Sequence, residues 1–376
     1  MAAKNDPTVV SEWIEAIWSS GGTDLLFTAG APPLGRIDGD YRPFEDEAVL
    51  TESDTEKIVN RMLTPDLIEQ LRERQQVDFS LTWQDNVRVR GNAFMQRGCI
   101  AISLRIIPLT VPTLDDLGLP PVVKSFAEAP SGLVLLTGPT GAGKSTTLAS
   151  LIDHVNTTRP CHILTIEDPI EYVHTHKRSV VSQREIGVDS YTFAQALRAA
   201  LREDPDVILV GEMRDLESIS TTLTLAETGH LVFATLHTND TAQALDRIID
   251  VFPADRRDQI EVQLSATLKG VIYQRLIPRI EGGMVGAYEI MVANNAVKNL
   301  VREGKTNQLR NVVSTHAAEG MQTLEHSLSN LLAHGIISEE HAMAVSLHPR
   351  EIQLPRPVLP EAPEAAEPAG RRGRRK

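Results

Sequence analysis

The run Gly138-Pro139-Thr140-Gly141-Ala142-Gly143-Lys144-Ser145, followed by Thr146, leaves this chain a narrow choice of fold. It comes directly after the apolar stretch Leu133–Leu136 and opens a helix-length segment reaching about residue 157. The order is therefore buried strand, glycine-rich loop, helix, with the full GxxxxGK[ST] spacing, and a chance glycine turn does not account for that context. The glycines let successive N–H groups turn inward around phosphate oxygens. Lys144 is placed to reach the terminal phosphates, and Ser145 offers a hydroxyl to Mg²⁺ at a helix N-terminus. Residues 138–146 are thus the expected cradle for a nucleoside triphosphate.

Three further apolar runs, 162–166, 207–210 and 231–236, alternate with helix-length segments, the pattern of a parallel sheet covered on both faces. Ligands of such sheets lie at the carboxyl ends of the strands. Acidic and histidine residues fall at those ends: Glu167, Asp168 and Glu171 after one run, Glu212 after the next, and His237 after the third. Hydrolysis needs one group to orient water and another to hold Mg²⁺ through its shell. Glu171 and Glu212 are the candidates, Glu212 also for the metal beside Ser145, with Glu167 and Asp168 behind them. Taken singly, each would serve equally well to cap the next helix. His230 and His237 bracket the third run and are the candidate histidines. Among arginines, Arg198 and Arg202, four apart on one helix, and Arg214 are either solvated charge or phosphate neutralisers acting across a subunit boundary.

Residues 1–106 carry no catalytic pattern of their own. Val10, Trp13, Ile14 and Ile17 recur at helical spacing, and residues 52–74 read as one helical segment. Strict alternation follows at Phe79, Leu81 and Trp83, at Val87 and Val89, and at Ile100, Ile102, Leu104 and Ile106, which predicts antiparallel strands with one buried face. Arg88 and Arg90 lie on the face opposite those valines, and Arg105 likewise. Such arginines are ordinarily solvated; the sharper expectation is contact with a nucleotide held by a neighbouring subunit. Residues 107–121 contain four prolines and predict an interdomain connector that lets the two parts move. A second domain spans 122–350, with successive helices expected from about 255 to 348. Residues 351–376 are Pro/Ala/Glu-rich with a basic end and predict a disordered tail.

Composition sets limits on partners. A net charge of −13 works against sequence-independent nucleic-acid binding, and none is expected. Two cysteines, Cys99 and Cys161, far apart, indicate neither a disulfide framework nor zinc. Nothing approaches the ~18 apolar residues of a membrane span, and the first ten residues lack a signal-peptide core, so a cytoplasmic chain is expected.

Four motifs in order carry a family resemblance: GPTGAGKST, ILTIEDPIEYVH (Ile163–His174), LREDPDVILVGEMRD (Leu201–Asp215) and AETGHLVFATLHTND (Ala226–Asp240). The chain resembles the secretion-ATPase superfamily of hexameric motors, and within it the PilT-like retraction ATPases of type IV pili, over about residues 8–348. The resemblance implies an α/β fold with a PAS-like α+β N-terminal domain followed by a RecA-like ATPase domain with C-terminal helices. It implies ATP and Mg²⁺, catalytic roles for Glu171 and Glu212, γ-phosphate sensing by His230 and His237, and completion of each site by arginines of the adjacent subunit. The implied partners are a homohexamer, an inner-membrane pilus platform protein and a paralogous retraction ATPase, at the inner face of the cytoplasmic membrane. Pilus-extension and type II secretion ATPases usually carry a four-cysteine zinc site, which this chain lacks. The retraction branch's helix motif, close to AIRNLIRE, is matched by Ala296–Glu303 with two Ile→Val changes and Lys298 in place of arginine. That departure, and Thr23–Phe27 where the family often reads SDLHLS, leave a PilU-like accessory role open. A hexameric nucleic-acid translocase is the rival from another class.

Overall fold

Two sheets, each with its own apolar packing, divide the chain. The computed structural model describes residues 10–37, 40–44, 47–83, 87–108 and 110–354. The small sheet consists of β1 (Asp24–Phe27), β2 (Leu34–Ile37), β3 (Asp40–Pro43), β4 (Gln76–Trp83), β5 (Val87–Gln96) and β6 (Cys99–Pro108). Its order is β3-β2-β1-β6-β5-β4, antiparallel throughout. Along β5 the buried positions alternate, so Val87, Val89 and Ala93 join the apolar cluster with Ile14, Ile17 and Met62 while Arg88 and Arg90 stay half-buried on the other face. Arg90 pairs in register with Arg105, which puts the two guanidinium-bearing side chains side by side. Gly91 is required here: a Cβ would meet the Phe79 ring at 2.1 Å.

The segment 52–74, expected as one helix, is two, Glu52–Met62 and Pro65–Arg74. Pro65 has no N–H to continue the first helix and holds Thr64 extended, so the chain restarts with proline at the first helical turn. The proline-rich run after β6 also departs from a free connector. Leu114 and Leu119 are buried in the cluster around the helix Lys144–Thr158, Ser150 Oγ donates to the Pro112 carbonyl at 2.7 Å, and Tyr288 donates to the Leu117 carbonyl at 2.8 Å.

The large sheet comprises β7 (Gly132–Thr137), β8 (His162–Glu167), β9 (Val180–Glu185), β10 (Val207–Val210), β11 (Leu231–Leu236), β12 (Leu268–Pro278) and β13 (Met284–Val292), in the order β13-β12-β7-β11-β10-β8-β9. All neighbours are parallel except β13, which runs antiparallel on β12. Alternate residues of β7 feed opposite faces: Leu133 and Leu135 enter one apolar cluster, Val134 and Leu136 the other. Both faces are covered, as the apolar runs require.

A hairpin and one further strand correct the expected elements. Residues 255–348 are not all helical, because β12 and β13 form a hairpin whose turn places Gly282 and Gly283 at φ +91° and +76°. β12 is drawn into the sheet by parallel pairing with β7, a long-range contact that helical periodicity cannot register. β9 was likewise not foreseen, since Val180–Glu185 is mostly polar. Among the described residues no helix is long and apolar enough to cross a membrane. The tail beyond 354 and the first nine residues lie outside the described residues.

Candidate active site

The loop after β7 turns on glycines because β12 lies against it. Gly138, Gly141 and Gly143 have φ of +147°, +77° and +82°. A Cβ on Gly138 would stand 2.4 Å from the Gln274 carbonyl oxygen, and one on Gly143 would stand 2.8 Å from the Gln274 side-chain amide. Gln274, 3% exposed, also accepts the Thr147 hydroxyl at 2.7 Å, so it braces both the loop and the first turn of the helix Lys144–Thr158. Sequence reasoning missed it, because only the β12–β7 pairing brings it near. Lys144 Nζ donates to the carbonyls of Gly138 at 2.7 Å and Pro139 at 3.0 Å. Burial lowers its pKa, against the opposing pull of Glu212 and Glu171. Thr140, Gly141, Ala142, Gly143, Lys144, Ser145 and Thr146 line a cleft of about 780 Å³.

The carboxyl ends of the parallel strands supply the facing wall, with Glu167, Asp168, Glu171, Glu212 and His237 all in the same cleft. Arg214 pairs with Glu212 at 2.7 Å, and this hydrogen bond, ahead of the opposing desolvation, holds the Glu212 pKa below the usual carboxylate range. His237 Nε2 lies 3.3 Å from Glu212, and its Nδ1 lies 3.5 Å from Lys144 Nζ. One polar chain thus joins Lys144, His237, Glu212 and Arg214. Thr137 and Thr238 fix the backbone beneath it, through a hydroxyl pair at 2.7 Å and the Thr238 N–H at 2.9 Å. Glu171 is exposed at the rim, its N–H donating to Glu167 at 3.4 Å. Glu167 itself is half-buried beside Thr165 and Gln183, and desolvation pushes its pKa up to about 7.

The arginines divide into three sets. Arg90 and Arg105 line the cleft of their own chain. Their sheet face turns toward the strand ends, and Arg105 Nε is held by Asp24 at 2.8 Å. Arg214 also lines the cleft, while Arg88 reaches Glu185 of β9 at 3.6 Å. Arg198 pairs with Glu217 on the surface and Arg202 is exposed; neither lines the cleft. His230 does not line this cleft. It precedes β11, whereas His237 follows it, so seven residue steps at ~3.3 Å each put their Cα atoms roughly 23 Å apart at opposite ends of the strand. His230 instead bonds the Leu225 carbonyl at 2.8 Å and contacts Thr228 at 3.1 Å.

Comparison with known proteins identifies the family. Residues 57–344 match the family described as type II/IV secretion system protein. The chain belongs to that family. It is 46% identical over 333 residues to the type IV pilus retraction ATPase PilT of Pseudomonas aeruginosa, covering 89% of this chain and 96% of PilT. It is 38% identical over 325 residues to the type IV pilus ATPase PilU of the same organism, covering 86% and 85% of the two chains. The crystal structure of the pilus retraction motor PilT with bound ADP superposes with a TM-score of 0.84 at 48% identity, covering 91% of this chain and 98% of that one.

Proposed function

We propose that this chain is a Mg²⁺-dependent ATPase that works as a homohexamer and powers type IV pilus retraction, as the name of its PilT relative describes for that protein. The observation that carries the reading is the single cleft in which a braced phosphate cradle faces Glu171, Glu212 and His237 on one side and Arg90 and Arg105 on the other. In this reading N–H groups of the 138–146 loop bind the triphosphate and Lys144 exchanges its carbonyl partners for the β- and γ-phosphates. Ser145, and Glu212 through its water shell, would hold Mg²⁺; both are hard oxygen donors, and the Arg214 hydrogen bond that lowers the Glu212 pKa favours its ionised form. That ion supplies charge neutralisation on the phosphate oxygens. Glu171 orients the attacking water and accepts its proton, His237 contacts the γ-phosphate side of Glu212, and Arg90 and Arg105 take up charge as the bond to the γ-phosphorus breaks.

The same reading assigns residues 1–106 to a PAS-like domain, 107–121 to a linker, 122–350 to a RecA-like domain with C-terminal helices, and 351–376 to a tail. It places the hexamer at the cytoplasmic face of the inner membrane against a pilus platform protein, alongside a PilU-type paralogue. Deleting the gene and counting surface pili tests it: excess pili with lost twitching is the expected result, whereas loss of pili would assign extension instead. Purified protein is expected to hydrolyse ATP with Mg²⁺ and without stimulation by DNA or RNA.

A further inference from the structure

Glu185 ends β9, one strand beyond the cleft wall, and nothing in its sequence neighbourhood marks it. Its side chain is 14% exposed. A single carboxylate oxygen, Oε2, takes two groups: the Ile170 main-chain N–H donates to it at 3.3 Å, and the Arg88 guanidinium lies 3.6 Å away. Ile170 immediately precedes Glu171. Glu167, aligned with Glu185 across the β8–β9 pair, receives the next N–H, that of Glu171, at 3.4 Å. The turn bearing Glu171 therefore hangs by two consecutive N–H groups from two neighbouring strand ends. Of these two carboxylates, Glu185 is the one that Arg88 of the small sheet contacts. Arg88 sits two residues from Arg90 on the same face of β5, so the sheet that brings Arg90 to the cleft also bears on Glu185. Asp189 holds the Glu185 N–H at 2.9 Å, which fixes the backbone from which the side chain reaches.

We infer that Glu185 is a positioning residue for Glu171, and that Arg88 couples its hold on the Ile170 N–H to the seating of the small sheet against the large one. An ionised acceptor makes the stronger hydrogen bond. Removing the guanidinium leaves a largely buried carboxylate without its counter-charge, which favours rotation toward water and releases Ile170. Since a reacting group displaced by about 1 Å can lose 10² in rate, a modest shift of this turn is felt in turnover rather than in nucleotide binding. The Arg88–Glu185 contact then makes Glu171 fully competent only when the small sheet, with Arg90 and Arg105, is in place.

The inference rests on the hydrolytic reading of Glu171, and the experiment separates the two. Glu185→Ala, Glu185→Gln, Arg88→Ala and the double variant Arg88→Ala/Glu185→Ala are made in the full chain. Steady-state ATP hydrolysis is measured with amide hydrogen exchange across residues 168–172. Glu185→Ala is expected to lower kcat about tenfold with KM within about twofold. Glu185→Gln, which keeps an oxygen acceptor without the charge, and Arg88→Ala should each lose about threefold, and the double variant should be no worse than Glu185→Ala. Exchange at Ile170 and Glu171 should rise in the same order. Unchanged exchange in Glu185→Ala overturns the inference, as does a full additional loss on removing Arg88 from the Glu185→Ala chain, which would mean that Arg88 acts on the nucleotide itself. The exchange data need no turnover, so normal hydrolysis by Glu171→Gln would defeat the catalytic reading while leaving the contact judged on its own.

Discussion

The two walls of the cleft are made differently. The large sheet is parallel and buried on both faces, and its groups stand on strand ends or on a loop braced by Gln274, Thr137 and Thr238. The small sheet is antiparallel, covers one face with helices, and offers Arg88 and Arg90 on the other. An antiparallel sheet can leave one face to a polar partner, whereas a parallel sheet cannot. The difference separates two tasks. In the proposed reading, the groups that act on water and metal stand on the parallel sheet, and the charge offered to the transition state stands on the uncovered face of the other sheet.

The largest effect expected is on the parallel-sheet wall: Lys144→Ala should abolish measurable hydrolysis and weaken triphosphate binding, as followed by a fluorescent nucleotide, because no other residue of the 138–146 loop can place a positive charge on the β- and γ-phosphates. Near-normal turnover would break the cradle assignment. On the other wall, Arg90→Ala with Arg105→Ala should cost ~10³ in kcat. Because both arginines line the cleft of their own chain, mixing this variant with Lys144→Ala subunits should give rings without rescue; recovered activity in proven mixed rings would show that a neighbour donates them. Glu171→Gln and Glu212→Gln are expected to keep nucleotide affinity within a few-fold and lose ~10² or more in turnover.

Stability distinguishes the walls as well. Glu167 has a pKa near 7 against an ordinary value of 4.5, so between those pH values the native chain keeps a proton that the unfolded chain has released. The contribution of this group to stability should therefore fall as pH rises from 4.5 to 7, by on the order of 3 kcal/mol, while His174, whose pKa burial pushes down to about 4, works in the opposite direction over much of the same range. Chemical denaturation of Glu167→Gln, which keeps an oxygen acceptor for Thr165, should show most of the Glu167 contribution removed. The smallest effects belong outside the cleft. His230→Ala, Arg198→Ala and Arg202→Ala should each change ATP turnover of the assembled protein less than about twofold, as for surface substitutions generally, while His237→Ala loses at least tenfold. A large loss in any of the first three would place it at a contact between subunits.

Local patterns determined much of this protein. The loop 138–146 could be assigned because strand, glycines and helix are consecutive, and β7, β8, β10 and β11 were legible because strands buried on both faces are continuously apolar. The strand-end carboxylates followed from that topology. The tertiary structure alone decided which charges share a site. His230 and His237 read alike in sequence, yet a strand carries its two ends in opposite directions. Arg90 and Arg105 look like surface until their sheet face is turned toward the cleft. Gln274 enters through the pairing of β12 with β7, which lie far apart in the chain, and Glu185 through the pairing of β9 with β8; periodicity within a segment records neither.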